Sequence, residues 1–496
     1  MTDRTGGRTT SPTATTRRYI KFDVEGRKDH ALSHCFDFWA SGSCHPRLRE
    51  RLCAKDVRPL ARWAISCQTG EMSLIRPVDR PPVHLRLARD LSRSIRRGHP
   101  WVYAESLREI PKVPAGSRAV LLDYKHNREI AKGYVDPNSP IAFRACTSDE
   151  KDRLDDRWAR RQFDRAYRLR KALFRNPFSR DGSARDQIEG AAPVDDLAGR
   201  PNLTTGFRLF HGEGDGLPGL VVDVYGDVAV IKLDGPAATT FWQAEGIAEW
   251  LMQATRVKAV VQRERDRGKE ARVIAGELTE AAVPFLEYGL KFTSDVLHGQ
   301  KTGFFLDQRE NRALIRKLSY NRRVLNLFSY TGGFSIAAGV GGAQHVTSVD
   351  VAEPAIEVAR QHWELNELPA SQHEAISADV FDFLAEAKKS GHRWEVMVVD
   401  PPSFAPSQES LTRAIASYER LFGMAAELVS ASGLLAVASC SSHLRDQQFL
   451  EICEESLSAA RRRGRILTFN GPPADHPAPL ALREFRYLKF ALMQLD

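Results

Sequence analysis

"RRVLNLFSYTGGFSIAAG", residues Arg322 to Gly339, is a short apolar run that halts at two glycines and resumes as a chain of small residues. The run from Val324 to Phe328 is too short for a helix bounded this way and suits a buried strand. Gly332 and Gly333 let the backbone turn tightly and come close to a ligand. The stretch therefore reads strand, turn, helix. Three similar runs follow: "HVTSVD" (His345–Asp350), "EVMVVD" (Glu395–Asp400) and "LLAVAS" (Leu434–Ser439). Each leads into a helical pattern, directly or through a loop. That rhythm predicts an α/β fold with a doubly wound parallel sheet covered on both faces. "GRILTFN" (Gly464–Asn470), a Pro-rich bend from Gly471 to Pro479 and "REFRYLKFALMQL" (Arg483–Leu495) predict a final pair of strands, the last antiparallel.

In an open α/β sheet the ligand lies beyond the carboxyl ends of the strands, at the switch point. Asp350 closes the second strand, where a carboxylate can accept hydrogen bonds from both hydroxyls of a ribose. Asp379, in "SADVFDF", is placed to read an adenine amino group. The ligand expected is thus adenosine-like. A dinucleotide would call for G-x-G-x-x-G opening a helix onto a pyrophosphate. The chain offers Y-T-G-G-F-S, so a ligand without phosphates, S-adenosylmethionine, fits better. The next strand ends "DPPSF". Pro401 and Pro402 stiffen the chain after Asp400, and a rigid loop with Phe404 can hold a planar base while Asp400 bonds its edge.

Moving outward, the chain has 496 residues, 42% hydrophobic and 27% charged, which suits several soluble domains. No apolar run approaches a membrane span, and the N-terminus lacks a secretory core. No membrane association is expected. The seven cysteines form no CxxC pair, which argues against a disulfide framework and a metal site and for the cytoplasm. The net charge is +8, with 15 Lys/Arg against 9 Asp/Glu in residues 1–80 and 10 against 4 in residues 151–175. A basic segment can face a phosphate backbone; a solvated helix face is the alternative.

Residues 1–80 are poorly patterned and are left unassigned, as an extension without a clear fold. From Val83 short strands with turn signals predict a small β-barrel over residues 81–150. "RRGHPWVY" gathers Arg96, Arg97 and Trp101, which can grip and stack on nucleic acid; a tryptophan packed at a barrel seam is the competing reading. "DDRWARRQFDRAYRLRKALF" predicts a helix with Trp158, Phe163, Tyr167, Leu169, Leu173 and Phe174 on its apolar face and arginines opposite. With a linker it fills residues 151–204. Residues 205–295 read as a small α/β unit with a helix from Thr239 to Ala254, and residues 296–496 hold the large sheet. "HGEGDGLPGLVVD" reads as tight turns rather than a phosphate cradle.

"GQKTGFFLDQRENR" (Gly299–Arg312), "LNLFSYTGGFS" (Leu325–Ser335), "DPPSF" (Asp400–Phe404) and "SCSSH" (Ser439–His443) together resemble the class I S-adenosylmethionine-dependent ribosomal RNA large-subunit methyltransferase I family. The resemblance runs from about Val83 to the C-terminus. It implies a PUA-like barrel, a central α/β domain and a Rossmann-like methyltransferase domain, with 5-methylcytosine in 23S rRNA as product. It also implies that Lys301, Thr302, Gly303, Phe304, Asp307 and Arg309 border the cofactor, Arg309 also the RNA. Phe328, Ser329, Tyr330, Thr331 and Gly332 would form the methionine-side loop. Asp350 and Asp379 would hold ribose and adenine, with Asp400 and Pro401 beside the cofactor. Ser403 and Phe404 would meet the RNA. Asp400 would orient and protonate the cytosine, and Cys440 would attack it. A homodimer is a further expectation.

The thiol answers a chemical need. Carbon 5 of cytosine is a poor nucleophile until a thiolate adds at carbon 6, and a covalent adduct divides one hard step into two easier ones. Cys453, in "LEICEES", reads instead as a small buried hydrophobe. Where related RNA enzymes place a second cysteine beside the proline, this chain has Ser403, so the base that releases the adduct is unassigned. The rivals are methylation of a base nitrogen, guanine N7 or an exocyclic amine, which needs no thiol, and an RNA-binding or ribosome-assembly factor with an inactive methyltransferase fold.

Overall fold

Alternating apolar residues build the first sheet. A computed structural model describes residues 72–77, 80–174, 203–255, 257–263, 271–299, 302–405 and 409–496. The expectations for residues 1–71, for most of the 176–204 linker and for Lys301 lie outside these. Residues 72–77 do not belong to a patternless extension: Leu74 and Ile75 are buried, and Ile75 bridges Trp242. Strands β1 (Val83–Arg86), β2 (Trp101–Tyr103), β3 (Arg118–Leu122), β4 (Glu129–Val135) and β5 (Ile141–Thr147), with helix α1 (Ser92–Arg96) after β1, form a five-stranded sheet in the order β1-β3-β4-β5-β2. A bridge between Leu87 and Leu107 joins its two edges and closes a small barrel around Leu85, Val102, Leu121 and Phe143.

Helix α2 (Asp156–Phe174) presents Trp158, Phe163, Ala166, Arg170 and Phe174 to the interior. Leu169 and Leu173, expected on that face, are exposed. The buried stripe steps by three and four residues, and that step lands on Arg170, whose guanidinium forms two hydrogen bonds to the carboxylate of Asp215. The central sheet, β10-β9-β8-β7-β6, comprises β6 (Gly206–His211), β7 (Leu220–Tyr225), β8 (Val228–Leu233), β9 (Ala259–Arg263) and β10 (Arg272–Gly276). Between β8 and β9 the expected single helix is two, α3 (Gly235–Phe241) and α4 (Ala244–Thr255). Trp242 breaks them by taking an extended backbone, and its buried indole donates to the Pro218 carbonyl. The hairpin β11 (Ala282–Glu287) and β12 (Leu290–Asp295) leads to α5 (Arg309–Leu318).

The large sheet holds β13 (Arg323–Leu327), β14 (His345–Asp350), β15 (His373–Ser377), β16 (Trp394–Val399), β17 (Val429–Ser439), β18 (Gly464–Asn470) and β19 (Lys489–Leu495). Its order is β15-β14-β13-β16-β17-β19-β18. The first five strands are parallel, and β19 runs antiparallel to both its neighbours. Because side chains alternate along a strand, Val324, Val396 and Ala436 face α6 (Gly333–Val340) and α7 (Glu353–Leu365), while Leu325, Met397 and Leu435 face α8 (Val380–Lys389), α9 (Leu411–Leu428) and α10 (Asp446–Ala459). The chain reverses direction across the sheet at β13, flanked by β14 and β16. A crevice at the carboxyl ends of these strands is the expected ligand position.

One buried histidine makes this domain pH-sensitive. His362 on α7 accepts from the Thr293 amide through Nε2 and donates to the Thr331 carbonyl through Nδ1. Burial pushes it down to about 4. The unfolded chain takes up a proton below about 6.5 while the folded one does not until about 4, so stability falls as pH drops through that window. The loss expected is about 1.4 kcal/mol per pH unit. Urea unfolding of the wild type and His362→Gln at pH 7, 6 and 5 checks it: the difference between them should shrink as pH falls.

Candidate functional site

All five parallel strands deliver their carboxyl ends to one edge. The loop Phe328–Gly332 leaves β13, Asp350 ends β14, Asp379 follows β15, Asp400 follows β16 and Cys440 follows β17. Hydrogen bonds fix the first loop: the Ser329 amide donates to Val349, and the Gly332 amide to Ser329. Phe328 and Tyr330 sit at φ 56° and 47°, left-handed conformations that cost non-glycine residues on the order of 1 kcal/mol each. Gly332, at φ 79°, starts α6, and a Cβ there would lie 2.9 Å from that of Ala359.

Asp350 braces this loop. Its Oδ2 accepts from the Tyr330 amide at 2.8 Å and its Oδ1 from the Ala352 amide at 3.0 Å. A carboxylate oxygen has capacity for more than one donor, so both can still take a ligand hydroxyl. Asp379 is the N-cap of α8: its Oδ1 accepts from the amides of Phe381 and Asp382. The first Asp of "DVFD" is thus held by helix capping, a signal legible in the sequence.

The loops after β16 and β17 are knitted together. The Ser439 hydroxyl donates to the Tyr418 hydroxyl at 3.0 Å, and the Ser441 hydroxyl to the Ala405 carbonyl at 2.9 Å. The Phe404 ring packs 4.8 Å from that of Tyr418. Burial pushes the Tyr418 phenol up to about 12, so it stays neutral. Pro401 is buried, Ser403 exposed and Cys440 half-buried. Asp400 is oriented through a chain of amides: Gln308 donates to its Oδ2 at 2.9 Å, Asn311 to the Gln308 carbonyl oxygen at 2.6 Å, and Asn470 to that of Asn311 at 3.0 Å. Gln308 lies between Asp307 and Arg309 in sequence, where a neutral amide carries no signal that singles it out.

Several expected site residues are interior and already partnered within the protein. Arg309 is 1% exposed, and its guanidinium is paired with Asp475, so it cannot reach RNA in solution. Thr302 is buried between Tyr225 and Asp223. Gly303 turns beside Ser294, and Phe304 packs on Phe285 and Phe292. These residues join the central and large sheets; they are interior because their neighbours are other domains, which a linear motif does not reveal. Asp307 is buried and accepts from the Tyr487 hydroxyl at 2.6 Å. Trp101 donates to Glu213 at 2.7 Å and packs edge-on against Phe485, the seam reading rather than a free stacking platform. Arg96 and Arg97 are exposed on the barrel.

Comparison with known proteins adds the chemistry. Residues 208–463 match the S-adenosylmethionine-dependent methyltransferase family, and residues 85–148 a PUA-like domain. A ribosomal RNA large subunit methyltransferase of Deinococcus radiodurans is 37% identical over 84% of this chain and 98% of its own length. The ribosomal RNA large subunit methyltransferase I of Shigella boydii is 32% identical over 82% and 98%. This chain belongs to the ribosomal RNA large subunit methyltransferase I family. Its fold is shared with a putative methyltransferase of Streptococcus mutans, at a TM-score of 0.69 over 83% of this chain and all of that one, with 21% identity. A second such structure, SMU.776, is described as complexed with SAH, at the same TM-score and 22% identity.

The methyl donor of the family is S-adenosylmethionine, and this chain's edge fits such a molecule. The hydroxyls of Ser329 and Thr331 are buried in the β13 loop without a protein partner. Buried polar groups normally find one, and a polar ligand at this loop would supply it. The Asp350 carboxylate stands at the next strand end. Among the described residues, no helix is long and apolar enough to cross a membrane, and no group of His, Cys, Asp and Glu could hold a metal.

Proposed function

We propose that this protein methylates carbon 5 of a cytosine in large-subunit ribosomal RNA through a transient bond to Cys440. The observation that carries the reading is the shared edge: a half-buried thiol after β17, an oriented carboxylate after the adjacent β16, and the polar β13 loop beyond it. The relatives' names support the RNA substrate.

Phe328–Gly332 would hold the methionine end of the donor, Asp350 its ribose and Asp379, through its remaining oxygen, the adenine. S-adenosylmethionine, when bound, supplies the methyl group. The Cys440 thiolate adds to carbon 6 of the cytosine. Asp400, fixed by Gln308, orients the ring and protonates it at N3, so carbon 5 becomes electron-rich and takes the methyl group. Loss of the carbon 5 proton to water then re-forms the double bond and expels the thiolate, and N3 returns its proton to Asp400. The base must be splayed from its stack, and the rigid Pro401–Pro402 segment with Phe404 would frame it. Arg96 and Arg97 would meet RNA backbone farther off.

The test is an rRNA fragment carrying 5-fluorocytidine at the target base. Fluorine cannot leave as a cation, so the adduct should persist as an RNA-protein band on a denaturing gel, dependent on S-adenosylmethionine. A methylated product without any trapped band would overturn the reading. Asp350→Asn keeps the shape but removes the charge. It should weaken S-adenosylmethionine binding by roughly 10- to 100-fold, the worth of a charge-assisted hydrogen bond. Calorimetry measures it.

A further inference from the structure

Lys489 opens β19, paired across the ladder with Ser439, the residue before Cys440. Its side chain is 2% exposed. The ammonium donates to the carbonyl of Ser441 on one side of Cys440 and to the carbonyl of Tyr487 at 2.9 Å. Both acceptors are neutral. Burying an ammonium against neutral groups is costly, and folds keep such a charge where an anion forms beside it.

Among the described residues, ionisable groups that interact electrostatically with Cys440 include Tyr418 on α9, Tyr487 before β19, and Lys489. The two phenols are held neutral by burial, and Lys489 is a cation. Asp446, the exposed first residue of α10, also acts on Lys489, but no carboxylate hydrogen-bonds it among the described residues. Burial pushes the lysine down to about 8, with Asp446 and then Cys440 opposing it, so the ammonium is retained at neutral pH. The sequence gives no hint of this, because forty-nine residues separate the two side chains and only the antiparallel insertion of β19 joins them.

We propose that Lys489 is the fixed counter-cation of the Cys440 thiolate, pinned by two main-chain carbonyls so that the sulfur is deprotonated near neutral pH. The inference rests on the reading of Cys440 as nucleophile. Lys489 acts through the sulfur and is a positioning residue. No proton leaves it: the thiol proton passes to solvent, and the thiolate so formed is the species that adds to carbon 6. A thiolate, not a thiol, is the reactive form.

The test needs no RNA. Iodoacetamide modification of the Cys440 peptide is followed by mass spectrometry against pH, in the full chain. In the wild type the midpoint should lie at least one unit below the roughly 8.5 of a free thiol. Lys489→Met should raise it by a unit or more and slow alkylation at pH 7 about tenfold; Lys489→Arg, which keeps the charge, should stay near the wild type. A purely structural lysine would lower the melting temperature of Lys489→Met and leave the midpoint unmoved, which overturns the proposal. If Lys489→Met does not fold, the wild-type curve decides: a midpoint at or above 8.5 overturns it. A low midpoint in a protein that never forms the 5-fluorocytidine adduct would retire the cytosine reading and leave the ion pair standing. A trapped adduct with an unshifted midpoint would retire Lys489 alone.

Discussion

Cys440→Ala is expected to lower methyl transfer to rRNA by on the order of 10⁴-fold or more, the usual consequence of deleting a nucleophile that acts with partner groups. Affinity for S-adenosylmethionine should change less than about twofold, since the thiol lies at β17 and the donor loop at β13. Single-turnover transfer of labelled methyl groups and calorimetry on the same preparation separate the two. Cys453→Ala is the control. That thiol is 3% exposed on α10, and burial pushes it up to about 12, so its loss should leave turnover unchanged. Full activity of Cys440→Ala would replace covalent chemistry with methylation of an amine, which is already nucleophilic.

Arg309→Met should destabilise the protein by about 3–5 kcal/mol, because it strands a buried carboxylate. Asp475 is fully buried. It accepts from Arg309 on α5, from the Arg208 amide on β6, and from His476, while its own carbonyl accepts from Arg170 on α2. The Arg309 charge holds Asp475 well below the usual carboxylate range despite its burial. Urea denaturation measures the loss, and Arg309→Met with Asp475→Leu should recover part of it. Donor affinity of the folded fraction should persist. Had Arg309 touched cofactor or RNA, binding would fall instead while stability held.

The large sheet was legible because its strands are short, apolar and evenly punctuated, and their ends carry Asp350, Asp400 and Cys440 at the edge where ligands belong. The segment Thr302–Arg309 was not. Its polar and charged letters look like a binding loop, yet several are consumed by distant protein partners: Thr302 by Asp223, Asp307 by Tyr487 and Arg309 by Asp475. Arg170 misled in the same way: an arginine on a helix reads as solvent-facing until Asp215 is known to be opposite. Trp101 illustrates a choice that only neighbours decide, between stacking on a base and bonding Glu213. Gln308 and Lys489 went unseen because a neutral amide and a lysine in an apolar strand carry no motif.

The insertion of β19 between β17 and β18 has a bearing on synthesis. This strand leaves the ribosome after both of its neighbours, so until it emerges β17 has one bare flank and β18 has nothing to pair with. The lysine beside the thiol arrives with it. Until β19 is in place, the ladder that pairs Lys489 with Ser439, the residue before the thiol, cannot form.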